Sequence, residues 1–74
     1  MKQQKPRGIQ YRIYISESGT KFYLRDIIIH ANMENYFFDT DVRYAKKFPS
    51  WSTAMKCREG MVHDRYDPHI EQIS

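Results

Sequence analysis

KFYLRDIIIH, residues Lys21–His30, is apolar at Phe22 and Leu24 and then changes phase. A strand sends successive side chains to opposite faces, so strict alternation puts Ile27 and Ile29 on the face opposite Phe22 and Leu24. Two arrangements accommodate this. A β-bulge near Arg25-Asp26 adds one residue and returns both isoleucines to the face of Phe22 and Leu24. Alternatively, the sheet is covered on both sides over this stretch.

The sequence on either side supplies the neighbouring strands. Ile9, Tyr11, Ile13 and Ile15 alternate with Gln10, Arg12, Tyr14 and Ser16, the period of a half-buried strand. Glu17-Ser18-Gly19-Thr20 provides turn chemistry, with Gly19 free to take positive φ. After His30, the run Ala31-Asn32-Met33-Glu34-Asn35 reads as a turn and Tyr36-Phe37-Phe38 as a short third strand. Such short connections make these segments an antiparallel meander.

Helical spacing follows. Asp39 or Thr40 is placed to cap a two-turn helix, and Asp41 suits its positive end. Val42, Ala45 and Phe48, three apart, would form its core face, with Pro49 as its stop. Ser50 caps a longer helix on which Trp51, Ala54, Met55 and Arg58 share a face, Trp51 toward the core, and Gly60 ends it. In the tail, Pro68 breaks the pattern, and His69–Ile73 is either a last edge strand or irregular chain. The class is α+β: a three-stranded antiparallel meander, then a short and a longer helix.

At 74 residues there is room for one core. Residues 9–74 form the domain, and residues 1–8, basic and almost without apolar side chains, form a flexible arm. The formal net charge of +3 argues against an acidic imitation of the DNA backbone. With Cys57 as the only cysteine there is no internal disulfide framework, which suits a reducing cytoplasm. No apolar run nears the roughly 20 residues that span a bilayer.

One local pattern is familiar. A strand, a capped turn ending "AKKF", and Ser-x-x-x-Ala opening a longer helix resembles small accessory proteins of bacteriophages and prophages. The matching residues are Thr40, Asp41, Ala45, Lys46, Lys47, Phe48, Ser50 and Ala54. In such chains an acidic residue often completes the cap before that alanine. Here Thr53 holds the place, which weakens the reciprocal cap. The resemblance covers roughly residues 20–61. It implies a mobile genetic element as the source, a bacterial host cytoplasm as the setting, and a C-terminal strand, and it carries over no active site.

Chemistry-bearing constellations are sparse. Cys57, His63 and His69 lie six apart, unlike the close pairs of structural zinc sites, so no metal or other cofactor is expected. A thiol within a helical pattern and three isolated glycines offer neither an activated nucleophile nor a phosphate loop. Arg43, Lys46 and Lys47 would line the outer side of the short helix, with Lys56 and Arg58 extending the positive surface. Such a cluster is a solvated face, a dock for an acidic protein patch, or a phosphate contact. Tyr14 and Tyr23, with Arg12 and Arg25 on the same side, would occupy the uncovered face of the sheet. Cross-strand packing explains them as well as base stacking or a protein anchor does. The expected function is non-catalytic binding to a host macromolecule, a nucleic-acid-handling or defence enzyme. Direct DNA or RNA binding is the alternative, and sequestration of a signalling nucleotide is a third reading. A homodimer through the open sheet face is also compatible.

Overall fold

The computed structural model describes residues 8–73, so nearly all of the expected basic arm lies outside the described residues. The elements are β1 (Gln10–Glu17), β2 (Thr20–His30), β3 (Met33–Asp39), a 3-10 turn (Val42–Tyr44), α1 (Trp51–His63) and β4 (His69–Ile73). The strands form one antiparallel sheet in the order β3-β2-β1-β4, so the tail is an edge strand beside β1. No helix among the described residues is long and apolar enough to cross a membrane.

Both hairpins turn on two residues at positive φ, the geometry that matches the right-handed twist of the strands they join. Ser18 and Gly19 (φ 52° and 81°) link β1 to β2, and Ala31 and Asn32 (54° and 64°) link β2 to β3. The second turn is therefore shorter than the five-residue reading. Met33–Asn35 belong to β3, which runs seven residues rather than three.

Between Leu24 and Asp26 the β2–β3 register slips by one residue. Leu24 pairs with Phe38 and Ile27 with Tyr36, so the bulge at Arg25 returns Ile27 to the face of Phe22 and Leu24. Of the two arrangements, the one-sided sheet is the one adopted.

The bulge also opens a fork. The β1–β2 ladder runs from Glu17–Thr20 to Tyr14–Tyr23. Beyond it, the segment after the 3-10 turn wedges between the strands. The Lys46 N–H donates to the Leu24 carbonyl at 2.8 Å, and Phe48 exchanges backbone hydrogen bonds with Tyr11 at 2.7 and 3.0 Å. This tertiary pairing holds Ala45 extended (φ −64°, ψ 136°), and the expected two-turn helix is reduced to one 3-10 turn capped by Asp41. Ala45 and Phe48 are buried as expected, but Val42 is exposed.

Ser50 caps α1, its Oγ accepting from the Thr53 N–H at 3.2 Å. The Thr53 hydroxyl donates to the Ser50 carbonyl, so the capping box is not completed. Ala54 and Met61 are the fully buried helix residues, and they meet Ile13, Leu24 and Phe48 in the core. Trp51 is 52% exposed and edge-on to Tyr11 at 5.6 Å, at the rim of the core and not within it, while Ala54 in the same turn takes the buried position.

Gly60 does not end the helix, which continues to His63. The stop is a Schellman turn. The Tyr66 N–H reaches back to the Met61 carbonyl, the Arg65 N–H reaches Val62, and Arg65 takes φ 73°. Gly60 instead admits β3, since a Cβ there would lie 3.1 Å from Tyr36 Oη and 3.2 Å from Glu34 Oε1.

Candidate functional site

With α1 on one side only, the opposite face of the sheet is left open. Its centre is the cross-strand pair Tyr14–Tyr23, with ring centroids 6.1 Å apart and edge to face. Tyr14 also stacks on His69 of β4 at 5.2 Å. Cationic side chains lie over these rings. Lys21 Nζ is 4.4 Å from the Tyr14 centroid, and Arg12 Cζ is 5.5 Å from that of Tyr23. Such contacts are favourable because the ring face carries negative potential.

Each of these cations also meets a carboxylate. The Arg12 Nε donates to Glu71 Oε1 at 2.7 Å, and Lys21 Nζ is 3.4 Å from Glu71 Oε2. The hydrogen bond from Arg12 holds the Glu71 carboxyl below its usual range, and the bond to Glu71 raises Lys21. Arg25 bonds Asp39 at 2.7 Å while lying 4.5 Å from the Tyr44 centroid. The face is thus a lattice of rings and compensated charge.

Of the nine residues the sequence singles out, Arg12, Tyr14, Tyr23 and Arg25 gather here. The other five are divided among different elements. Arg43, on the 3-10 turn, closes on its own Asp41 at 2.7 Å, and that bond lowers the Asp41 carboxyl. Lys46 is half-buried, its ammonium 5.8 Å from the Phe48 ring centroid. Lys47 is exposed on the wedge and Lys56 on the helix. Arg58 is half-buried and ties α1 to the start of β4, its Nε donating to the Pro68 carbonyl at 3.3 Å. Lys21, Asp39, His69 and Glu71 belong to the face and escaped sequence reasoning. The signal for His69 and Glu71 was the pairing of β4 with β1, which the sequence left open.

Among the described residues no three His, Cys, Asp or Glu side chains converge as metal ligands. Burial, with a smaller contribution from Glu34, pushes the Cys57 thiol up to about 11, so it carries almost no thiolate at neutral pH. A concavity of about 670 Å³ lies between β3 and the end of α1; it is lined by Glu34, His63 and Asp64 among others and by no Lys or Arg. No family model, curated protein or solved structure matches the chain.

Proposed function

We propose that the chain is a non-catalytic binding protein whose open sheet face docks another protein. One observation carries this reading: the Tyr14–Tyr23–His69 rings, overlaid by Arg12 and Lys21, lie on the side of the sheet away from α1. Tyr and Arg are the side chains that most often anchor interfaces, since each buries a large surface and still offers a polar end. The interleaved carboxylates favour a protein over nucleic acid. A phosphate backbone would meet Glu71 and Asp39 and would have to compete with them for Arg12 and Arg25. An anionic nucleotide is equally ill-suited to the concavity beside β3, which carries Glu34 and Asp64 and no Lys or Arg.

The local likeness to phage accessory proteins puts a bacterial host enzyme first as the partner, one that handles nucleic acid or serves defence, bound and blocked in the cytoplasm. Arg43, Lys46, Lys47, Lys56 and Arg58 would contribute at most from the rim. The test is affinity capture from bacterial lysate with wild-type protein, a face variant (Tyr23→Ala with Arg25→Glu) and a loop variant (Arg43→Glu with Lys47→Glu). The face variant should lose capture about 10-fold or more, and the loop variant much less. Retention by the face variant, or a salt-sensitive mobility shift with arbitrary single-stranded DNA or RNA, would replace this reading with the basic-surface one.

A further inference from the structure

We propose that the outer edge of β3 pairs antiparallel with β3 of a second copy, about a two-fold axis at Asn35. The pairing runs along the strand edge and does not use the Tyr14–Tyr23 cluster, so it stands apart from the reading of that cluster, although Met33, Asn35 and Phe37 lie on the same side of the sheet as Asp39. β2 occupies one side of β3, and among the described residues no strand pairs with the other. Free edges are commonly blunted by shortness, Pro or charged side chains, Lys above all, and the charges of β3 are Glu34 and Asp39, bonded to Tyr36 and Arg25. β3 has seven residues, Met33-Glu34-Asn35-Tyr36-Phe37-Phe38-Asp39, with no Pro, Lys or Arg. β4, the other edge, has five. The 670 Å³ groove follows this edge, with residues 32–37 as one wall and the end of α1 as the other. It leaves space beside the backbone for a further strand.

The turn determines which backbone groups are available. A two-residue turn at Ala31-Asn32 directs the Met33 N–H back toward His30. By alternation, Met33, Asn35 and Phe37 bond toward β2, while Glu34 and Tyr36 turn their N–H and C=O outward. A two-fold partner must match outward groups to outward groups, which leaves few registers. With the axis at Glu34, two carboxylates face each other. With the axis at Tyr36, Met33 lies against Asp39 of the other copy and Glu34 against Phe38. With the axis at Phe37, Met33 faces chain beyond the end of the strand.

The axis at Asn35 satisfies every position. Glu34 and Tyr36 exchange backbone bonds with Tyr36 and Glu34 of the other copy. The Tyr36 hydroxyl, which donates to Glu34 of its own chain at 2.6 Å, gains a second carboxylate within reach. Met33 and Phe37, 66% and 47% exposed, cover one another across the axis. Ile28, 48% exposed, flanks them through its pairing with Asn35. The two Asn35 amides meet at the centre. That mutual fit identifies the occupant as a second copy.

So small a surface belongs to the weak, concentration-dependent class. In sedimentation equilibrium the full chain should rise from the 9.0 kDa monomer toward twice that mass between about 1 μM and about 1 mM. Asn35→Lys, which opposes two ammonium groups at the axis, should weaken association at least about 10-fold. Register is read by disulfide trapping. Asn35→Cys should cross-link under mild oxidation, because opposed non-hydrogen-bonded residues sit about 4.5 Å apart at Cα, within disulfide reach. Met33→Cys should not, and wild type, whose Cys57 is half-buried, serves as the blank. A monomer at every concentration overturns the proposal. So does a dimer indifferent to Asn35→Lys, or cross-linking of Met33→Cys as fast as of Asn35→Cys.

Discussion

Arg65 holds φ at 73°, where a Cβ crowds the backbone, in order to close the Schellman turn after α1. Glycine meets no such penalty. The nearest glycine, Gly60, sits five positions earlier in regular helix, kept there by Tyr36 Oη and Glu34 Oε1 at 3.1 and 3.2 Å from where a Cβ would stand. Side chains of β3 reach the end of α1 here, and Tyr66 just beyond it packs edge-on to Tyr36 at 5.5 Å. Arg65→Gly should therefore stabilise by about 1 kcal/mol, by relieving the left-handed residue. Gly60→Ala gains about 1 kcal/mol of helix propensity but presses on the Tyr36 hydroxyl, and the two effects should nearly cancel. In a Tyr36→Phe background the hydroxyl is gone, Glu34 is free to swing outward, and Gly60→Ala should turn stabilising. Urea unfolding of the four combinations reads the coupling. An identical effect of Gly60→Ala in both backgrounds would show that the contact with Tyr36 has no energetic weight.

At the scale of elements, one extra residue decides how the sheet presents itself to the helix. Arg25 is that residue, and its own ion pair with Asp39 is half exposed and worth little. Arg25→Ala keeps the residue count and should cost no more than about 1 kcal/mol. Deleting Arg25 removes the bulge, sends Ile27 to the open face or shears β2 against β3, and should abolish cooperative thermal unfolding. A deletion variant that melts as sharply as wild type would mean the register is set elsewhere. The bulge was legible because alternation breaks phase visibly at Arg25-Asp26, and the Ser50 cap because it precedes a clear helical run. The wedge was not. Val42, Ala45 and Phe48 have the spacing of a helix face, yet Lys46 and Phe48 find partners in Leu24 and Tyr11, which local spacing cannot reveal. The cap of α1 likewise hides behind an arginine at a position where sequence reasoning looks for glycine.

The whole molecule is thin, 47 × 31 × 17 Å, one helix deep on one side of a twisted sheet. Its core is correspondingly small and gathers where α1 lies over β1 and β4, around Ile13, Leu24, Phe48, Ala54 and Met61. The β2–β3 hairpin extends beyond that cover, which is why Ile29 is exposed although it shares the side of Leu24 and Ile27, whereas Ile28 and Met33 lie on the open side. About half of the open face was readable from the sequence, since alternation alone places Arg12, Tyr14 and Tyr23 together. Glu71 and Lys21 were not, because their contacts join residues 59 and 50 positions apart through a strand pairing the sequence left open. Geometry of this kind implies graded stability, because an amide bonded within the covered core opens only with the whole fold, whereas one in a projecting hairpin opens locally. Hydrogen exchange on dilute protein, where the outer edge of β3 stands unpaired, should find the amides of Ile13 and Leu24 slowest. Those of Ile29, His30 and Met33 should exchange far sooner, with protection rising steadily from the Ala31-Asn32 turn toward Leu24. Raising the concentration should then slow Glu34 and Tyr36 selectively, since theirs are the outward N–H groups that a second strand would bind. Uniform protection along β2 at low concentration would place the hairpin inside a single cooperative core, and the molecule would have no separately opening arm.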